Sequence, residues 1–285
     1  SVCLSLLCAL RKAGLRAEEL AYIKPATQCE APDLLSAWCA AEGVAHVSGE
    51  AAPLVFYSGF TRAFLEGGQG TSEEWLQRIS ESVDVLSAGR RVVIVDGVGF
   101  PAVGSIVGVD NADVAKAARA PVLLVCKSGV GGAVDSFSLN SSYFISKGVP
   151  VLGAIFNYGE LSGFYSWDVC AESIEKWFSR PGNRRERFYG VVPKAPELDG
   201  LRERVSETAA GKLLELAELN AAHFASHVDI SSIISDAAAD PWCRHVGKPR
   251  VQPAASTAFK MEPPSRSSRE LIAAKARAAG AKGGG

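Results

Sequence analysis

Arg91-Val92-Val93-Ile94-Val95-Asp96-Gly97-Val98-Gly99 decides the fold. Four consecutive β-branched residues without polar alternation make a strand that is apolar on both faces, as in a buried parallel sheet. The run stops on a carboxylate followed by two glycines. Working outward, the same pattern recurs in Pro121-Val122-Leu123-Leu124-Val125-Cys126, in Val151-Leu152-Gly153-Ala154-Ile155-Phe156 before Asn157, and in Phe188-Tyr189-Gly190-Val191-Val192-Pro193. A shorter strand, Ala21-Tyr22-Ile23, ends at Lys24-Pro25. Between these runs, helical periodicity covers residues 2–13, 33–42, 72–86 with Ser72 as the expected N-cap, 111–120, 133–147 with Gly148 as the stop, 173–178, and 198–227 as one or two helices. Alternating strands and helices with double-sided strands predict an α/β layer fold. Right-handed crossovers make it a doubly wound, mostly parallel sheet with helices on both faces.

In such sheets the ligand lies beyond the carboxyl ends of the strands. Topology alone therefore nominates Lys24, residues 96–99, residues 127–132, Asn157 and Pro193-Lys194. Asp96 at a buried strand tip suits a magnesium-linked acid in a nucleotide site, although Asp-Gly also simply opens turns. Lys24 is placed to neutralise phosphate or carbamate-like charge, or reads as a solvated lysine before a Pro-limited turn. Asn157 can bond a base or ribose, and is equally a turn former. The glycines of residues 129–132 admit a close ligand backbone or make a flexible turn. His46, His223, His227 and His245 fall on no shared motif. Neither G-x-x-x-x-G-K-[ST] nor G-x-G-x-x-G occurs in the sequence.

Composition narrows the function classes. The chain has 285 residues, 47% hydrophobic and 21% charged, the balance of a globular protein. No apolar run approaches the length of a membrane helix, so no membrane partner is expected. A net charge of −1 gives no whole-molecule attraction to nucleic acid. The charge is divided unevenly: residues 241–285 hold nine basic and two acidic residues, leaving −8 on residues 1–240. With five prolines and five glycines, residues 241–285 read as a basic, solvated tail unable to build a core, the other reading being a short helix over 268–279 on an acidic partner. The domain expectation is thus an α/β unit over 1–240, with its core in 1–204 and C-terminal helices in 205–240. Cys3, Cys8, Cys29, Cys39, Cys126, Cys170 and Cys243 form no CxxC pair, and their odd number argues against a disulfide framework. A reducing compartment is expected, either cytoplasm or an organelle stroma or matrix.

The run from Val92 through Asp96-Gly97-Val98-Gly99, Asn111-Ala112-Asp113-Val114-Ala115-Lys116, the glycines at 129–132 and Gly153-Ala154-Ile155-Phe156-Asn157 resembles the dethiobiotin synthetase family of P-loop NTPases. It is more similar still to cobyrinate-synthase-like relatives and to the N-terminal domain of long phosphotransacetylases. Tyr22-Ile23-Lys24-Pro25, Ser58-Gly59-Phe60-Thr61-Arg62 and Tyr189-Gly190-Val191-Val192-Pro193 extend the likeness over about residues 1–204. The resemblance implies an ATP- and magnesium-dependent ligase that activates a carboxylate or carbamate by phosphoryl transfer. It also implies a homodimer. It places Ser1 at the last position of the phosphate-binding loop, giving its hydroxyl to magnesium, with the first strand and the loop glycines upstream of residue 1. It makes Lys24 the charge-stabilising catalytic residue, Asp96 a magnesium ligand and Asp33 the candidate second acid. Asn157 and the backbone of Val192, Pro193 and Lys194 become the adenine site. Two segments depart from the biotin enzymes. Lys24-Pro25 continues as Ala26-Thr27-Gln28, where Val-x-Thr-Gly is expected, and Val98-Gly99-Phe100-Pro101 stands where Ala-Gly-Gly is expected. A regulatory or binding NTPase domain with little turnover, and a pseudo-NTPase scaffold, are the alternative readings.

Overall fold

The computed structural model describes residues 1–28, 34–181, 185–196 and 210–243, all within one compact unit, Ser1–Lys248. Asp33 and residues 244–285 lie outside the described residues. The helices are α1 (Val2–Lys12), α2 (Leu34–Glu42), α3 (Phe60–Leu65), α4 (Ser72–Ser87), α5 (Asn111–Ala118), α6 (Gly131–Ser146), α7 (Trp167–Phe178), α8 (Ala210–Ala225) and α9 (Ile230–Ala239). The strands are β1 (Leu20–Ile23), β2 (Ala26–Thr27), β3 (Ala45–Val47), β4 (Leu54–Val55), β5 (Val92–Val95), β6 (Val122–Lys127), β7 (Val151–Gly159) and β8 (Arg187–Pro193).

Every ladder between these strands is parallel. One sheet has the order β3-β1-β5, with Tyr22 level with His46 on one side and Ile94 on the other. A second has the order β6-β7-β8, with Phe156 between Cys126 and Val191. The short β2-β4 pair continues beyond the end of β1.

The double-sided strands have the consequence that their pattern predicts. Leu20 and Tyr22 of β1 and Val92 and Ile94 of β5 pack on α1, α2, α8 and α9. Their alternates Ala21, Ile23, Val93 and Val95 pack on α4 and the end of α5. In the other sheet, Leu124, Cys126, Ala154, Phe156 and Val191 face α5, α6 and α7. Leu6 of α1, Ile155, Tyr189, Val192, Phe224 and Ile233 form the opposite layer, with Ile94 and Leu123 packed against them. Ile155 and Phe156 are fully buried, and each such burial contributes about 1.5–3 kcal/mol. The helix-flanked parallel α/β architecture is therefore the one expected.

The two sheets do not join. Among the described residues, β5 pairs only with β1 and β6 only with β7, so each keeps one open edge. Both strands are apolar, yet all four β5 residues are only half-buried and Val125 of β6 is 50% exposed.

Several boundaries differ from expectation. The N-cap of α4 is Thr71, not Ser72. Thr71 has the extended backbone of a cap and closes a capping box with Glu74, whereas Ser72 is already helical and donates its hydroxyl to the Val107 carbonyl at 2.8 Å. Strand β7 runs to Gly159, because Asn157 and Gly159 still pair with Val192 and Pro193. Helix α7 starts at Trp167, six residues before its expected start. The short elements β2, β3, β4 and α3 carried no clear periodicity. The expected helix over 268–279 lies outside the described residues. No helix among the described residues is long and apolar enough to cross a membrane.

Candidate functional site

The carboxyl ends of β1 and β5 are locked side by side. The Asp96 backbone N–H donates to the Ile23 carbonyl at 2.8 Å, and the Lys24 N–H donates to Val47 at 2.9 Å. Asp96 therefore emerges level with Lys24. From β1, the buried Tyr22 donates its hydroxyl to Asp96 Oδ2 at 2.8 Å. Burial pushes the thiol of Cys3, in the first turn of α1, well above the usual thiol range, and the charge of Asp96 adds to the rise. Ser1 is the N-cap residue of α1. The structure thus sets Lys24 and Asp96 side by side on adjacent strands, with Tyr22, which sequence reasoning missed, bonded to Asp96. Among the described residues, neither Asp96 nor Lys24 forms an ion pair.

The segment after Asp96 is held by Asn111, the first residue of α5. Its Oδ1 accepts from Val98 N–H at 2.9 Å, and its Nδ2 donates to the carbonyls of Val98 and Phe100, each at 2.9 Å. A Cβ on Gly97 would stand 2.9 Å from Asn111 Oδ1, closer than real Cβ contacts come, so glycine lets this clamp close. One residue before Asn111, Asp110 is 1% exposed and caps α5, accepting from the N–H groups of Ala112 and Asp113 at 2.9 and 3.1 Å. It also accepts from Tyr143 Oη at 2.6 Å and from Lys147 Nζ, tying α5 to α6. Burial alone would raise the Asp110 carboxyl, but the bonds from Lys147 and Tyr143 reverse this and hold it below the ordinary range. Sequence reasoning missed Asp110, although Asp110-x-x-Asp113 ahead of an apolar helix is a capping signal.

The second group sits at the ends of β7 and β8. Lys127, Asn157 and Val192 are in register across the sheet. The Asn157 side-chain oxygen accepts from its neighbour's N–H, Tyr158, at 3.0 Å. Tyr158 itself takes a left-handed φ of 63°, which a non-glycine residue rarely adopts. The Val192 side chain is buried in the core with Leu6 and Phe224. The Pro193 carbonyl is bonded to His223 Nε2 at 2.9 Å, and Lys194 pairs with Glu160 at 2.5 Å. No hydrogen bond or ion pair joins this group to the Asp96 group among the described residues.

The donor set is tested against magnesium by what it lacks. No cluster of three or more His, Cys, Asp or Glu side chains able to hold a metal occurs among the described residues. A lone strand-end carboxylate beside a lysine suits a cation that keeps its waters and takes its other ligands from phosphate oxygens, as magnesium does. It does not suit zinc, which needs a cage of protein ligands.

A family model described as an AAA domain, AAA_26, matches residues 1–201. No curated protein matches the chain.

Proposed function

The chain belongs to the AAA_26 family of P-loop NTPases, nucleotide-binding proteins related to dethiobiotin synthetase, and from that membership we propose that it is a magnesium–ATP-dependent ligase that activates a carboxylate or carbamate by phosphoryl transfer. The observation that carries this reading is that Lys24 and Asp96 leave the carboxyl ends of the paired strands β1 and β5 side by side. Asp96 and the Ser1 hydroxyl hold the cation. Lys24 faces the phosphoryl group and the substrate, and stabilises charge that develops between them. Asn157 and the backbone of Val192, Pro193 and Lys194 hold the adenine. When bound, magnesium supplies neutralisation of the phosphate oxygens; the protein contributes position and electrostatics.

The open edges of β5 and β6 support a further part of this reading. Ile94 and Leu123 from the two edges pack on one apolar cluster, with half-exposed β-branched residues above it. A strand leading through a phosphate-gripping loop into Ser1 would fill that place and pair both edges.

One observation favours the alternative of a pseudo-NTPase scaffold. On the adenine side, Asn157, Pro193 and Lys194 already have partners within the chain.

The test is incubation of the protein from its complete coding sequence with magnesium, ATP, bicarbonate and 7,8-diaminononanoate. Diamine-dependent phosphate release is the outcome expected of a ligase of the biotin type. Tight magnesium–nucleotide binding without phosphate release under any amine or carboxylate would move the assignment to the regulatory reading. No nucleotide affinity in calorimetry would leave a scaffold.

A further inference from the structure

We infer that Tyr22 is a positioning residue for the cation site, a neutral donor that holds the Asp96 carboxylate in its metal-binding orientation. The inference rests on the nucleotide reading above and deepens it. Tyr22 lies in β1 level with Ile94, two residues before Asp96 on the neighbouring strand. Its ring is fully buried among Leu4, Leu7, Leu35 and Trp38, which fixes where the hydroxyl can go. That hydroxyl reaches Asp96 Oδ2 at 2.8 Å, across 74 residues of sequence. With the Asp96 backbone already bonded to Ile23, the aspartate is held at both ends by elements that are themselves buried.

The chemistry of the donor is the point. A carboxylate whose only task was structural would be best served by lysine or arginine, as Asp110 is by Lys147. A cation partner would compete with magnesium for Asp96. A phenol orients the group without competing. A carboxylate offers about four lone-pair positions, so one donor leaves room for a metal. Outer partners of this kind typically carry about 10- to 100-fold of metal affinity.

A purely structural role would also satisfy a buried tyrosine, so the test separates the two. Mn2+ replaces magnesium as a paramagnetic probe, and its binding with a nucleoside triphosphate is followed by electron paramagnetic resonance. Affinity for the metal-free nucleotide and the thermal midpoint are measured alongside. Tyr22→Phe keeps the ring and removes the donor. We expect it to weaken the Mn2+ complex about 10-fold and change the bound spectrum, with metal-free affinity unchanged. Should Tyr22→Phe fail to fold, 4-fluorophenylalanine at position 22, which fills the hydroxyl's space without donating, decides the question by the same comparison. Equal losses with and without metal, or no loss, would overturn the positioning role while leaving the nucleotide reading intact. Failure of the wild-type protein to bind the Mn2+ complex would overturn the nucleotide reading, and this inference with it.

Discussion

Asp96 and Asp110 stand at opposite ends of one loop, and their surroundings could hardly differ more. Asp110 is almost wholly buried and collects two backbone N–H groups, a tyrosine hydroxyl and a lysine ammonium. Asp96 is only half-buried, receives one neutral phenol and forms no ion pair among the described residues. A buried carboxylate survives ionised only when its charge is compensated. At Asp110 the compensation is internal, so the charge is spent on joining α5 to α6. At Asp96 the fold supplies orientation and leaves the charge for something outside the chain. An acid at either end of such a loop is therefore judged by who its donors are, since Asp96 and Asp110 each follow a valine and the residue type alone does not separate them.

Substituting each residue breaks or sharpens this contrast. Asp110→Ala removes the cap of α5 and one of the two carboxylates that Lys147 bonds, Asp113 at 3.2 Å remaining, and should cost about 2–4 kcal/mol of unfolding free energy in urea. Asp96→Asn should change that free energy by less than about 0.5 kcal/mol, since the amide oxygen still accepts from Tyr22. The same Asp96→Asn protein should lose about 100-fold in magnesium–nucleotide affinity by calorimetry, or about 2.7 kcal/mol, with metal-free nucleotide much less affected. If Asp96→Asn destabilised the fold as Asp110→Ala does, the two aspartates would be the same kind of residue and the cation site would have to be sought elsewhere.

How much of this could be read from the chain follows the same division. The strands β5, β6, β7 and β8 were legible because runs such as Val92–Val95 carry their burial on both faces in the residue types themselves. The strand-end positions Lys24 and Asp96 followed from topology. What could not be read was partnership across sequence. Tyr22 looked like one more apolar strand residue, and nothing local marks that its hydroxyl ends on Asp96. Asn157 was nominated as a ligand group, but its side-chain oxygen is taken up by the backbone of Tyr158, a competition decided by a left-handed turn that no residue preference announces. The short β2-β4 pair has only two residues per strand, too few for any periodicity.

The smallest expected effect, and the most discriminating for the structural half of the comparison, is that of Tyr143→Phe. It deletes one neutral donor to Asp110 and keeps the ring that Lys147 overlies at 5.3 Å. The loss should be about 1 kcal/mol at neutral pH. Because the Asp110 carboxyl is held below its ordinary range, its contribution to stability is complete above the unfolded carboxylate pKa and is lost as pH falls through the lower, folded value. Removing a donor that favours the ionised form moves the folded value back up, so the acid limb of the stability curve should shift to higher pH. Lys147 provides the internal control. Burial alone would lower its ammonium pKa, but hydrogen bonds to Asp110 and Asp113 raise it above the ordinary lysine range. Its contribution is therefore complete below the unfolded lysine pKa and is lost only as pH rises through the higher, folded one. Tyr143→Phe leaves the lysine's own contacts in place, so urea unfolding across a pH series should show the acid limb displaced and the alkaline limb where it was. An unmoved acid limb would mean that the tyrosine contributes nothing to holding the charge, and that Lys147 and the cap of α5 compensate Asp110 alone.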